Sequence, residues 1–251
     1  MKQYLSIEPW RVVEGQYFPD YNEASESVMS IGNGKMGQRA NFEEYFSGKS
    51  LSGNYLAGIY YPDKTRVGWW KNGYPEYFAK VLNAVNWIGL NIIVNEQILD
   101  LNVVKIHRFE RVLDMKRGVL ERKFVVEFPK GEMIEVETFR FYSMVQDEIG
   151  VLDYKIKALN FSGKIQVESI LDFNVRNRDA NYDEVFWTPI KESVHQNNAL
   201  VIAETKKTAF RVACAVNSIF IANKTDVSNQ ANWEQAPQKI SRVLPMAIQE
   251  G

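Results

Sequence analysis

Sulfur and imidazole are scarce in this chain. Of its 251 residues one is cysteine and two are histidine. Cys214 has no second thiol to bridge, and its place in the alternating run Phe210-Arg211-Val212-Ala213-Cys214-Ala215-Val216 predicts a small packed side chain. His107 and His195 have no Cys or His neighbours at metal-ligand spacing, so no zinc site is expected. Neither a Gly-x-Ser-x-Gly elbow nor a Ser-His-Asp order is found, which removes covalent hydrolase chemistry. Charge of one sign is lacking too. A formal net charge of −1 gives no field to draw in nucleic acid or an anionic membrane. The most basic stretch, Lys105 to Lys123, is interleaved with Glu110, Asp114 and Glu121, which predicts a solvated face. Nowhere do ~18 apolar residues run together, which excludes an ordinary membrane helix. The opening Met1-Lys2-Gln3-Tyr4-Leu5-Ser6-Ile7-Glu8-Pro9-Trp10 has no continuous apolar stretch of the secretory kind. A cytoplasmic location is the expectation, without nucleic acid or membrane as partner.

What is present reads as strands. Leu152, Tyr154, Ile156 and Ala158 alternate with Asp153, Lys155 and Lys157, a period of two with one wet face. After Asn160-Phe161-Ser162-Gly163 the alternation resumes with Ile165, Val167 and Leu171, which predicts a hairpin. Val119 to Phe128 and Met133 to Tyr142 flank Pro129-Lys130-Gly131, and Ala199 to Thr205 and Ala209 to Val216 flank Lys206-Lys207-Thr208; both predict further hairpins. Within 133–142, Ile134 and Val136 lie on one face but Phe139 and Phe141 on the other, so either a bulge or two buried faces is expected there. Many strands and few convincing helices predict an all-β chain, a large sandwich of two antiparallel sheets. Hydrophobic residues make up 45%, enough for one core of good size, and 1–251 reads as a single domain. The first ninety residues are poorer in periodicity, and Ser30 to Gly37 and Tyr60 to Pro75 are expected to be long ordered loops. Asn223 to Gln238 reads as a polar surface excursion.

Three motifs carry possible chemistry. Gly32-Asn33-Gly34-Lys35-Met36-Gly37 has the glycine spacing of a phosphate loop but neither the buried strand before it nor the helix after it, so its glycines are expected to serve tight turns. Glu43-Glu44 would point to opposite faces of a strand and could not flank one glycosidic bond; one carboxylate is expected exposed, the other paired with a neighbour such as Arg39. Tyr60 to Pro75 mixes Trp69, Trp70 and tyrosines with Asp63, Lys64, Arg66 and Asn72. That mixture suits a sugar or a buried interdomain contact.

Here a resemblance enters. Ser30-Ile31-Gly32-Asn33-Gly34, Met36-Gly37-Gln38-Arg39 and Asn41-Phe42-Glu43-Glu44 resemble the opening motif of glycoside hydrolase family 65. Tyr61-Pro62-Asp63-Lys64-Thr65-Arg66-Val67-Gly68-Trp69-Trp70-Lys71-Asn72-Gly73-Tyr74-Pro75 resembles that family's maltose phosphorylase subgroup. Leu113-Asp114-Met115 and Ala180-Asn181-Tyr182-Asp183-Glu184 extend the likeness, which covers residues 1 to about 220. It implies a supersandwich of the galactose-mutarotase kind, a non-catalytic N-terminal domain whose (α/α)6 catalytic barrel is absent from these residues. It further implies a parent enzyme in which inorganic phosphate attacks maltose with inversion, giving β-glucose 1-phosphate and glucose without metal or other cofactor. The missing barrel and the disaccharide are the implied partners. Arg39, Glu43, Glu44, Asp63, Arg66, Trp69 and Trp70 are the candidates for an interdomain surface or the rim of a sugar pocket; no catalytic residue is expected in this chain. Ala40 stands where the resemblance leads us to expect glycine, and a positive φ there would strain the turn by about 1 kcal/mol. A further strand beyond Gly251 is also implied, so a truncated sandwich with an unpaired edge near the C-terminus, and a homodimer through it, are expectations. The alternatives are a stand-alone carbohydrate-binding module, another disaccharide of the family (trehalose or kojibiose), and last a free-standing mutarotase-like enzyme.

Overall fold

The computed structural model describes residues 4–65, 73, 75–177 and 184–251. Three sheets build the architecture, and the strand-forming alternation seen in the sequence decides which face of each is dry. A six-stranded antiparallel sheet runs in the order Ser6–Glu8, Arg11–Glu14, Lys105–Asp114, Val119–Glu127, Met133–Tyr142, Gly150–Ala158. A five-stranded sheet runs Asn232–Ala236, Lys239–Ile248, Gly163–Asp172, Asn86–Val94, Gln97–Ile98. A three-stranded sheet is formed by Trp187–His195, Asn198–Thr205 and Arg211–Asn217. The expected all-β sandwich is therefore found, with one of its layers divided.

Two cores share one sheet face. Phe124, Val126, Ile134 and Val136 of the six-stranded sheet pack with Leu90, Ile92, Val94 and Ile165 of the five-stranded sheet. Farther along, Leu171 and Ile240 join Trp187, Val201, Ala203 and Val212 of the three-stranded sheet in a second cluster. Ile165 and Leu171 lie six residues apart on one strand, hence on the same side of it. The five-stranded sheet is thus the long layer, covered at one end by the six-stranded sheet and at the other by the three-stranded one.

Two predicted hairpins are present, Val119–Glu127 with Met133–Tyr142 and Asn198–Thr205 with Arg211–Asn217. The third is not. Gly150–Ala158 and Gly163–Asp172 belong to different sheets, so the Asn160 to Gly163 turn is an arch between layers. Alternation alone cannot separate these cases, because both leave one face of each strand dry. The parity change in Met133–Tyr142 has neither expected cause. Its register against both neighbours is unbroken, and the inner face continues through Thr138, Arg140 and Tyr142 as polar residues. Phe139 and Phe141 point outward and contact each other edge to face at 5.6 Å.

Other expectations need revision. Within Lys105 to Lys123 the face is solvated only in part, since Arg111 and Arg122 are buried on the inner side. Tyr60 to Pro75 begins as a strand, Tyr60–Lys64, which pairs with Tyr77–Val81 in a two-stranded ribbon. Asn223 to Gln238 contains the edge strand Asn232–Ala236, which flanks Lys239–Ile248 from Lys239 to Val243. The polar stretch before Ser30 holds the one α-helix among the described residues, Asn22–Val28. Cys214 is packed as predicted against the second core, and burial pushes its thiol up to about 12.

Ala40 is buried and has no positive φ, so alanine fits where glycine was expected. Its amide donates to the Glu26 carbonyl at 2.9 Å, and its own carbonyl accepts from Arg111 at 2.8 Å. Ala40→Gly should therefore destabilise the chain, by about 1 kcal/mol, through lost methyl burial and a freer unfolded backbone. A urea midpoint unchanged or raised would contradict this account of the turn.

Candidate functional site

The paired carboxylates are the sequence's most chemical feature, and both are buried, each with 4% of its surface exposed. The expected exposed member does not exist. Glu43 and Glu44 sit in a bend rather than a strand, so their side chains are free to converge instead of alternating. They meet at Arg122. Its Nη2 donates to Glu44 Oε1 and Oε2 at 2.8 and 2.7 Å, and also to Glu43 Oε2. Arg140 Nη1 lies 3.1 Å from Glu43 Oε1, and the Tyr154 hydroxyl donates to Glu44 Oε1. Arg39, the partner expected from the sequence, instead donates to the Glu23 carbonyl and the Ser27 hydroxyl of the helix.

The cluster extends along the inner face of the six-stranded sheet. Glu14, Arg111, Arg122, Thr138 and Tyr154 occupy one continuous cross-strand row. Two arginines directly opposite one another would repel. Carboxylates on both sides of the pair offset this: Arg111 Nε donates to Glu14 Oε2 at 2.8 Å, while Arg122 holds Glu43 and Glu44. Arg122 also lies between the Phe42 and Phe124 rings, 4.7 and 4.9 Å from their centroids. Beside them Glu26 accepts from Asn22, Ser50 and the Leu51 amide at 3.0, 2.6 and 2.7 Å.

Burial and charge act in opposition here. Burial would raise the Glu43 carboxyl, but Arg122 and Arg140 outweigh it and hold it below the ordinary range. For Glu26 burial prevails over its hydrogen bonds and pushes the carboxyl up. Arg122 is held above its usual value because Glu44 and Glu43 more than offset its burial. A proton donor for glycoside chemistry must reach a leaving oxygen. Carboxylates enclosed by guanidinium groups cannot, so Glu43 and Glu44 form a structural ion cluster. Sequence reasoning missed the arginines. The available signal was phase, since Arg111 follows Phe109, Arg122 precedes Phe124, and Arg140 follows Val136 by an even step along strands whose inner face is apolar.

Asp63 belongs to a separate assembly. It is buried on the inner face of the Tyr60–Lys64/Tyr77–Val81 ribbon and ion-paired with Lys80. Tyr61 beside it meets Phe186 at 4.3 Å and lies under Lys207, whose Nζ is 4.4 Å from the ring centroid. These contacts fix the ribbon to the second core. Its other face is turned to solvent: Tyr60, Lys64, Tyr77, Ala79 and Val81 are exposed, with Pro62 half-buried among them, so the face is apolar except at Lys64. Arg66, Trp69 and Trp70 lie outside the described residues.

The glycine motif holds no phosphate geometry. Gly34 has φ +88°, and a Cβ on Gly32 would come within 2.8 Å of the Met36 carbonyl, so one glycine serves conformation and the other close approach. Asn33 Nδ2 donates to the Ser143 and Asp147 carbonyls at 2.7 and 2.9 Å, and Lys35 pairs with Asp147 and Glu148. The motif clips the exposed 143–149 loop. On the outer face of the six-stranded sheet, a shallow depression of about 470 Å³ is lined by the alternating row Glu110, Lys123, Glu137 and Lys155, a solvated charge ladder. Among the described residues no group of three or more His, Cys, Asp or Glu side chains converges as metal ligands would.

Comparison with known proteins adds four findings. The sequence model described as "Glycosyl hydrolase family 65, N-terminal domain" matches residues 12–251. Over 225 residues the chain is 36% identical to a maltose phosphorylase of Bacillus subtilis, covering 90% of this chain and 30% of that protein. Over 244 residues it is 32% identical to an alpha,alpha-trehalose phosphorylase of Thermoanaerobacter brockii, covering 91% of this chain and 31% of that protein. A solved structure named "Putative kojibiose phosphorylase from human microbiome" superposes with a TM-score of 0.84 at 26% identity, over 98% of this chain and 31% of that one. The chain thus spans less than a third of the length of the relatives it matches.

The ion cluster makes its own prediction. Glu43 is depressed in the fold, so its contribution is present above the ordinary carboxylate range and is lost as pH falls through the folded-state value. Glu26, raised in the fold, works the other way and favours folding as it becomes neutral. Glu43→Gln should cost about 3 kcal/mol at neutral pH, because it leaves buried arginine charge uncompensated. It should also flatten the decline in stability on acidification. Urea midpoints of the two proteins across that range provide the check.

Proposed function

Since the chain belongs to glycosyl hydrolase family 65, as the N-terminal domain of that family, we propose that it is the non-catalytic scaffold of a disaccharide phosphorylase. In the parent enzyme, inorganic phosphate would attack the disaccharide with inversion, releasing β-glucose 1-phosphate. Maltose is the preferred substrate in this reading, supported by 36% identity to a maltose phosphorylase against 32% to a trehalose phosphorylase and 28% to a kojibiose phosphorylase. The observation that carries the non-catalytic role is the enclosure of Glu43 and Glu44 by Arg122 and Arg140. The general acid and the phosphate-binding groups would then come from a helical barrel outside these residues.

The exposed, largely apolar face of the ribbon, Tyr60, Tyr77, Ala79 and Val81 with Lys64 at its end, suits contact with that barrel rather than with water. In this reading Glu43 and Glu44 hold residues 22–56 on the six-stranded sheet, Arg39 braces the helix, and Asp63 anchors the ribbon. Arg66, Trp69 and Trp70 would extend the contact or rim the sugar pocket. A cytoplasmic site of action and a homodimer remain part of this proposal.

Incubated with maltose and phosphate, the 251-residue chain should release no glucose 1-phosphate, whereas a polypeptide continuing into the barrel should. Product from the shorter chain would overturn the scaffold reading. Calorimetry with maltose, maltotriose and trehalose tests the carbohydrate-binding alternative in parallel: millimolar or tighter binding would favour a module that acts by itself.

A further inference from the structure

Residues 22–56 are connected to the rest of the molecule in an unusual way. Their short strands, Ile31–Gly32, Met36–Gln38 and Asn54–Leu56, pair only with one another. No ladder joins them to the three large sheets. The helix Asn22–Val28 closes on this small sheet through Glu26, whose carboxylate binds Ser50 and Leu51 and whose carbonyl receives the Ala40 amide. The stretch thus has a helix and a ladder of its own, and its bonds to the rest of the molecule are made by side chains and single amides rather than by a shared ladder. It meets the six-stranded sheet through opposite charge, Glu43 and Glu44 of the segment with Arg122 and Arg140 of the sheet, and through Arg111, which donates to the Ala40 carbonyl and Asn22 Oδ1.

We infer that residues 22–56 dock on the arginine face as one unit, and leave it as one unit ahead of the two sheet cores when Glu43 and Glu44 are neutralised. The arginines keep their charge at any accessible pH. Protonation of the glutamates thus leaves three buried cations with Glu14 as their main counter-ion, and opening the docked face to water is the available relief. The groups facing the two carboxylates are consistent with this direction. Arg122 and Arg140 bind them directly, and Tyr154 donates to Glu44. Arg111 and Glu14 continue the row, Glu26 stands behind Asn22, and Tyr17 and Tyr142 are held protonated to about 12 by burial. Asp100 approaches from the far side, where it accepts from the Ser47 amide at 3.3 Å. None of these can replace the lost charge on acidification. Elsewhere several carboxylates sit in exposed pairs such as Lys105–Glu127 and Lys123–Glu137, whose loss matters little.

Restraints other than charge set how cleanly the unit leaves. Met29, Ala40 and Phe42 are buried against the sheets, and the Leu90 amide donates to the Glu43 carbonyl at 2.8 Å. Asn54 is tied to Asn83 and the Val85 carbonyl. Asn33 holds the Ser143 and Asp147 carbonyls, Lys35 pairs with Asp147 and Glu148, and Tyr142 donates to Asn54, but none of these is a ladder like those of the large sheets. Local opening of the segment should precede global unfolding.

Hydrogen exchange on the 251-residue chain tests this, followed from neutral pH down through the carboxylate range and corrected for intrinsic rates. The amides of Asn54, Ala84 and Leu90, which bond across the docked face, should lose protection by at least about tenfold while those of 119–127 and 163–172 keep theirs. Simultaneous loss in both sets would overturn the inference. The double variant Glu43→Gln/Glu44→Gln should show the same selective loss at neutral pH, and retained protection at Asn54 and Leu90 in that protein would also overturn it. Should the variant not fold, the acid series on the unaltered chain decides.

Discussion

Three guanidinium groups on the dry side of a sheet are the constraint that organises the N-terminal half of this domain. Burying a cation is tolerable only when an anion and a full set of acceptors go in with it. Arg111 takes Glu14 from the neighbouring strand, Arg122 and Arg140 take Glu43 and Glu44, and the chain between residues 22 and 56 follows the path that delivers these last two. Phe42 fills the space between Arg111 and Arg122, at 5.2 and 4.7 Å from the two guanidinium carbons. The poor periodicity of this region has a physical source: its residues are chosen to satisfy charges and carbonyls rather than to present one apolar face.

That choice also separates two kinds of legibility. The strands from 105 onward could be read because alternation follows directly from pleat geometry. Their ranges and two of three hairpins follow from it. The sheet to which each strand belongs does not, and the Asn160 to Gly163 arch shows why. Short links between facing layers and tight hairpins ask for the same turn residues. The change of phase at Thr138 and Arg140 misled for a related reason, since a polar inner face imitates an outward one.

For the candidate residues the sequence was informative about which stretches matter and less so about how. Glu43-Glu44 drew attention as a carboxylate pair, yet its meaning lies in Arg122, seventy-eight residues away. An ion cluster formed across such separations has no local signature. Asp63 was placed among interface candidates, and in the structure it anchors a ribbon whose opposite face is the exposed one. The family resemblance carried by these tracts agrees with the match over residues 12–251.

The shared layer has a different kind of consequence. One strand, Gly163–Asp172, places Ile165 in the first core and Leu171 in the second, and is hydrogen-bonded to a neighbour along its whole length on one side. It acts as a common beam. Loosening at either end is carried along a rigid element to the other, so the two cores cannot be tuned apart by substitutions near that strand. A substitution within that strand is therefore felt in both cores.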